Sequence, residues 1–270
     1  MGERPVILLT NDDGIRATGL VALRNALTPL GQVVVVAPLA EQSACSHSVT
    51  LQRPLRYDRH EPDTFSVDGT PADCVYLALF AERFLPRRPD LVLSGINHGV
   101  NLGTDVFYSG TVAGAREAAF RGIPAIAFSH ELGEPEPDIA ALAEVAREMA
   151  LRLYKTPITG GQAPLLNVNF PRGPFRGART THLARRVYQD RVISRTDPYG
   201  AEYLWLGGRP AICEQTEGSD VDAVNKGFVS VTPLALEATD TAQLPAAARV
   251  AEVVEGENTA RRHSQGGIGN

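Results

Sequence analysis

The strongest constraint on the fold lies at the start of the chain, where Val6-Ile7-Leu8-Leu9-Thr10 runs straight into Asn11-Asp12-Asp13-Gly14. An apolar run of strand length with no polar alternation suits a strand covered on both faces, and such strands belong to parallel sheets wrapped by helices. In open α/β sheets, ligands bind at the carboxyl ends of strands. Two neighbouring carboxylates at such an end repel each other unless a cation lies between them. A hard divalent ion such as Mg²⁺, which takes oxygen ligands and keeps several waters, suits the pair. Asn, Asp and Gly are also what plain turns and helix caps use, so the tetrapeptide alone leaves both readings open.

The next segments build outward from that strand. Leu20, Leu23, Leu27 and Leu30 fall at helical spacing, with Pro29 and Gly31 closing the helix, and Gln32–Pro38 forms a second buried strand. Strand, helix and strand in quick succession make a right-handed βαβ unit with parallel strands. The loop Glu41–Ser48 therefore opens on the same sheet edge as Asp12 and Asp13, although a serine-rich loop can equally be only a loop. Residues 51–67 read as strands and turns. Asp68–Asp73 supplies a turn, a Thr N-cap and a Pro at the first helical position, and the helix is expected to run through about Phe84.

Asp90–Gly103 repeats the opening logic, a buried strand ending in a loop rich in Gly and Asn. Asn97, Asn101 and His98 all sit in it. Asn offers an uncharged oxygen to a metal or an NH₂ to a phosphate. Tyr108-Ser109-Gly110-Thr111 then leads into a helix over Val112–Arg121. Amides at a helix N-terminus flanked by hydroxyls form an anion site, and a plain Ser/Thr cap is the competing reading. Pro124–Ser129 reads as a further buried strand, Asp138–Tyr154 as an amphipathic helix, and Leu165–Pro171 as the last core strand.

Past Pro171 the texture changes. Val187–Ser194 and Ala201–Leu206 flank Asp197-Pro198-Tyr199-Gly200 and read as a hairpin. A free two-stranded arm bearing Tyr203, Trp205 and Leu206 is marginal in water, so the hairpin is expected to pack on a second subunit. Gly218–Val224 resembles a cap and short turn in which Asp220 and Asp222 cap rather than ligate. Phe228–Thr232 reads as a final strand and Glu257–Asn270 as a frayed tail.

At 270 residues and 43% apolar content the chain can bury a full core. Its formal charge of −5, with scattered basic residues, provides no footprint for long nucleic acid. The three cysteines, Cys45, Cys74 and Cys213, lack metal-finger spacing and point to free thiols. No signal peptide or membrane span is apparent, so a cytoplasmic location away from membranes is expected.

Asp12, Asp13, Ser43, Asn97 and Ser109-Gly110-Thr111 all fall in loops expected to open on one edge of the sheet. The motifs LLTNDDGI, VVAPLAEQSACSHSVT, DGTPADCVYLAL, PDLVLSGINHGVNLGTDVFYSGTVAGAREAAFRGIPAIAFS and GSDVDAVNKGFVSVTPL together closely resemble the survival-protein (SurE-like) nucleotidase family across nearly the whole chain. The resemblance implies one domain over 1–270. Its core is an α/β, Rossmann-like, mostly parallel sheet with helices on both faces, over about 1–172. A C-terminal β-hairpin extension over about 173–270 would be used in a homodimer or homotetramer. It also implies one Mg²⁺ or Mn²⁺ per subunit, held by Asp12, Asp13, Ser43 and Asn97. The chain departs from the family at Leu39, where an Asp is common after the Ala-Pro that ends the second strand.

The function this implies is hydrolysis of nucleoside 5′- and 3′-monophosphates, and short polyphosphate as a further substrate, through a metal-bound water. Asp12 and Asp13 are the catalytic pair. Asn11, Asn97, Asn101, Ser109, Gly110 and Thr111 are the candidate phosphate contacts. Two alternatives stand beside it. Asp12 or Asp13 as a covalent nucleophile would give an aspartyl-phosphate, and a non-catalytic nucleotide-binding module would use the same sheet without chemistry. The absence of GxGxxG after the first strand argues against a dinucleotide. His47 and His98 lie near the loops without an assigned role.

Overall fold

The computed structural model describes residues 4–158, 161–213 and 216–252, and the chain separates into two compact units, 1–236 and 237–270. In the first unit, β1 (Val6–Thr10) lies between β2 (Gln32–Pro38) and β5 (Leu91–His98), parallel to both. Outward from β2 come β4 (Thr64–Val67), parallel, and the antiparallel edge strand β3 (Tyr57–Glu61). Outward from β5 come β6 (Ala125–His130) and β7 (Leu165–Phe170), both parallel.

Period-two alternation divides the central strands between two cores. Ile7 and Leu9 face one side, where they pack with α1 (Thr18–Leu27) and α4 (Ile139–Tyr154). Leu8 faces the other, with α2 (Pro71–Phe80) and α3 (Gly110–Phe120). Helices thus cover both faces of a mostly parallel sheet, and β1 is apolar throughout because neither of its faces meets water. Leu23 of α1 is fully buried in the first layer, and its truncation to Ala would cost about 2–5 kcal/mol.

Two boundaries differ from the sequence reading. α2 starts as expected, with a capping box in which Thr70 and Asp73 bond each other's main chain and Pro71 follows the cap. It stops at Phe80 rather than about Phe84. Ala81 is extended, and Phe84 folds back so that its ring meets Phe65 edge-on at 5.0 Å and Tyr57 at 5.1 Å. Burying that ring outweighs one more helical turn. Nor does the sheet end at β7. β11 (Val229–Pro233) adds antiparallel to β7, and β8 (Ala178–Thr180) adds parallel to β11, making nine strands. Residues beyond Pro171 therefore complete the core sheet as well as leaving it.

The expected hairpin forms from β9 (Arg186–Thr196) and β10 (Glu202–Cys213), a separate two-stranded sheet. Its turn is fixed by Asp197, whose carboxylate accepts from the main-chain N–H groups of Tyr199 and Ala201 at 2.8 and 2.9 Å. α5 (Asp220–Asn225) is capped by Ser219, which accepts from Asp222 N–H. The second unit, taken by itself, has a short 3₁₀ turn at Thr241–Gln243 capped by Asp240, then helical residues 244–252. The tail Glu257–Asn270 lies outside the described residues, as does the Cys213 side chain; Cys45 and Cys74 are free thiols. No described helix is long and apolar enough to cross a membrane.

Candidate active site

A cavity of about 490 Å³ opens where β1, β2 and β5 end, and its walls include Asp12, Ser43, Asn97, Asn101 and Ser109. Five of the residues picked from sequence, carried by four separate segments, therefore meet around one space. His98, Asp105 and Tyr108 complete much of the lining.

Asp12 is the most deeply set member, with 4% of its surface exposed. Burial, with the neighbouring Asp13 adding to it, pushes its pKa up to about 6, against hydrogen bonds from Thr111 that favour the ionised form. The Thr111 hydroxyl donates to Asp12 Oδ1, and its main-chain N–H bonds the same side chain. The first turn of α3 thus spends Thr111 on holding Asp12 rather than on the cavity. Its cap, Ser109, accepts from Val112 N–H through Oγ, which leaves the hydroxyl proton free to donate. Gly110 sits where a Cβ would come within 2.8 Å of both Asp12 Cβ and Cys45 Sγ, so only glycine lets α3 approach this closely.

Asp13 is also pushed up by burial, opposed by the main-chain N–H of His98, which donates to Oδ2 at 3.1 Å. Asn97 owes its place to an irregularity in β5. The register with β6 shifts between Ser94 and Asn97, and Gly95 has φ +129°, where a Cβ would lie 2.3 Å from Phe128 O. Such bulges re-aim side chains beside binding sites. Asn97 Nδ2 donates to Gly99 O at 2.7 Å, which turns Oδ1 into its available acceptor. Ser43 Oγ donates to Glu41 Oε1 at 2.7 Å, leaving its own lone pairs available.

Asn11 lies beneath the others, fully buried. Its amide donates to Gly14 O at 2.9 Å, and its Oδ1 is buried without a partner. Asn101 lines the cavity but is fastened from behind. Asn169 forms two bonds to its main chain, accepting from N–H at 2.7 Å and donating to C=O at 3.2 Å, while Asn167 donates to the same carbonyl and Asn101 Nδ2 donates to Ser129.

These supports escaped the sequence reading, although Asn167 and Asn169, two apart in an apolar strand, share one face and carried the signal. Asp220, expected to act as a cap, reaches further. Its carboxylate accepts from Gly103 N–H at 2.7 Å and Ala184 N–H at 2.9 Å, fastening the turn Gly103–Phe107 that leads to Tyr108.

Among the described residues no three His, Cys, Asp or Glu side chains group as a metal cage. A cation here would be held by two carboxylates and the neutral oxygens of Ser43 and Asn97, a donor set suited to a hard, water-retaining ion. The residues fit that group. A buried carboxylate whose proton affinity is raised beside a second one gains from any nearby cation. Cys45, whose Sγ lies beside Gly110, has its thiol pushed up to about 11 by burial and the Asp12 charge, which disfavours the reactive thiolate.

Fold and site together define a doubly wound α/β protein that gathers acids, amides and hydroxyls at its strand ends. The chain belongs to the survival protein SurE family, whose model matches residues 7–190. A protein named 5′-nucleotidase SurE from Sorangium cellulosum is 53% identical over 237 residues, covering 87% of this chain and 91% of that one. The 5′-nucleotidase SurE 1 of Thermus thermophilus is 46% identical over 239 residues, covering 86% and 92%. The crystal structure of the SurE protein from Aquifex aeolicus superposes with a TM-score of 0.78 at 41% identity, covering 90% of this chain and 98% of that one.

Proposed function

We propose that this chain is a metal-dependent phosphatase that hydrolyses nucleoside 5′- and 3′-monophosphates to nucleoside and phosphate. The observation that carries the reading is the acid pair at the end of β1, with Asp12 buried against the α3 N-terminus inside a cavity shared with Ser43, Asn97 and Ser109. The relatives named 5′-nucleotidase support the nucleotide as substrate.

Asp12, Asp13, Ser43 and Asn97 would hold one Mg²⁺ or Mn²⁺. When bound, such an ion neutralises a phosphoryl oxygen and acidifies a water. The protein's own part is placement. Thr111 favours the ionised form of Asp12 and aims it, Ser109 and the Gly110 amide donate to phosphoryl oxygens, and Asn101 fixes the far wall. Tyr108, 63% exposed at the cavity wall, and the neighbouring Phe107, 61% exposed, provide aromatic surface for the base. The hairpin carries exposed Leu204, Trp205 and Leu206, at 65%, 60% and 92%, and we assign it to contacts in a homodimer or homotetramer. Free thiols at Cys45 and Cys74 support a reducing, cytoplasmic setting.

Phosphate release from AMP, measured with Mn²⁺, with EDTA, and after Mn²⁺ is restored, tests the reading together with Asp12→Asn. Activity lost in EDTA and in the variant, with the fold retained by circular dichroism, is the expected result. Nucleotide binding without any phosphate release would replace the enzyme with an inert binding module.

A further inference from the structure

The loop between β2 and β3 must present Ser43 to the cavity, yet Ser43 is exposed. The residues after it take an unfavourable path. Ala44 and Ser46 both adopt left-handed backbone, φ +56° and +55°. Side-chain-bearing residues hold that conformation only where surroundings enforce it. Part of the enforcement is at the cavity wall, where Gln42 N–H donates to Asp12 O at 2.7 Å and Ser46 N–H donates to Tyr108 O at 2.9 Å.

The Ser46 hydroxyl also donates to Phe107 O at 2.6 Å, and Ser48 O accepts from the Thr70 hydroxyl at 2.7 Å. Between them stands a further anchor, His47. Its Nε2–H donates to Glu117 Oε2 at 2.9 Å, and Glu117 is buried in α3 with 4% exposure. Arg121, one turn on, closes the other oxygen with Nε at 3.1 Å and Nη2 at 2.9 Å. The ring also packs on Phe120, with centroids 5.6 Å apart, while His47 Nδ1 is buried without a partner. The unmet nitrogen is a cost that the Glu117 bond and the packing on Phe120 must offset.

We infer that His47 is a positioning residue for Ser43. The His47–Glu117 pair, braced by Arg121, fixes the left-handed turn 44–46 so that the Ser43 oxygen faces Asp12 across the cavity. One helix then sets both sides of the site. Its first turn holds Asp12 through Thr111, and its second turn holds the Ser43 loop through Glu117. The inference rests on the proposed role of Ser43 as a metal donor, and on no titration.

Mn²⁺ binding to the metal-free full-length protein, by calorimetry, tests it in wild type, Ser43→Ala, His47→Ala and the double variant, with melting temperatures alongside. Ser43→Ala, which removes a donor, and His47→Ala, which removes the support behind it, should each weaken binding about tenfold, the low end of what loss of an outer support costs. The double variant should bind no more weakly than Ser43→Ala alone, because His47 acts through Ser43. His47→Gln, whose amide can donate to the same carboxylate, should regain most of the loss.

Wild-type affinity in His47→Ala, or losses that multiply in the double variant, would overturn the inference while leaving Ser43 as a donor. Unchanged affinity in Ser43→Ala would remove Ser43 from the metal set and this inference with it. Should His47→Ala fail to fold, Glu117→Gln, which keeps the shape and weakens the acceptor, takes its place under the same comparisons.

Discussion

Replacing Gly110 by Ala adds one methyl group at the most crowded point of the site, and its effect follows from distances. The new carbon would stand 2.8 Å from Asp12 Cβ, 2.8 Å from Cys45 Sγ and 3.0 Å from Asp12 Oδ2. Ordinary contact begins near 3.4 Å, so two neighbours must each retreat by about 0.6 Å. Ala gains up to about 1 kcal/mol in helix propensity over Gly in a helix interior, and less at this first helical position. Overpacking costs about 1–3 kcal/mol, so strain wins. Cys45 is on a loop and can yield; Asp12 is buried at the end of a central strand and cannot rotate clear. The carboxylate therefore shifts relative to Ser43 and Asn97. Displacements approaching 1 Å can cost about 10²-fold in rate. Gly110→Ala should fold, melt a few degrees lower, lose at least about tenfold in Mn²⁺ affinity by calorimetry, and lose about 10- to 100-fold in kcat for AMP. Adding Cys45→Ala should recover part of both losses by opening one side. Wild-type metal affinity and rate in Gly110→Ala would refute the argument that this contact sets the carboxylate.

Three further outcomes follow from other contacts. Tyr108→Ala should raise KM for AMP about tenfold, the scale of one lost base-stacking contact, with kcat for glycerol phosphate unchanged; equal losses on both substrates would remove the ring from base binding. Burial works to raise the pKa of Glu117, but His47 and Arg121 outweigh it and hold the carboxylate below its usual value. A depressed acid adds stability above its unfolded pKa, about 4.3, and loses it as pH falls through the folded value. The melting gap between wild type and Glu117→Gln should therefore be full at pH 7 and shrink below about pH 4, and a gap independent of pH would deny the charge its role. Asp220→Ala leaves the buried N–H groups of Gly103 and Ala184 unpaired, at about 1–3 kcal/mol each. Urea unfolding should show a loss of roughly 3 kcal/mol, and one under about 1 kcal/mol would mean that water replaces the carboxylate.

The strands and the strand-end loops were legible because burial on both faces leaves a run such as Val33–Val36 no polar position. The convergence of Asp12, Ser43, Asn97 and Ser109 followed from the same rule, since parallel strands end on one edge. What was not legible lies where side chains reach main chain over long separations. Asn169 bonds Asn101 across 68 residues and Asp220 bonds Gly103 across 117, and no local pattern records such pairs. The end of α2 was missed for a related reason, because Phe84 is drawn off the helix by Phe65, a residue of β4. Thr111 was legible as part of a helix start but not as the holder of Asp12, because a hydroxyl in the first turn suits both a ligand and a neighbouring carboxylate.

That use of Thr111 bears on how phosphate can enter at all. With the Thr111 hydroxyl and amide turned to Asp12, the α3 N-terminus offers a phosphate the Ser109 hydroxyl and the Gly110 amide, beside Asp12 and with Asp13 next to it in the chain. Unit charges about 5 Å apart at an effective dielectric near 20 repel by about 3 kcal/mol. A dianion meeting Asp12 and Asp13 is therefore disfavoured by more than two donors return, at about 1.5–3 kcal/mol each. Inorganic phosphate should bind only when a divalent cation is present, with no heat detected by calorimetry in EDTA and saturable binding after Mn²⁺ is added. In metal-free protein, Asp13→Asn should bind phosphate better than wild type does, because one repulsion is gone while Asp12 and its Thr111 contacts remain. Phosphate affinity that is the same with and without metal would show that the acids do not gate the anion.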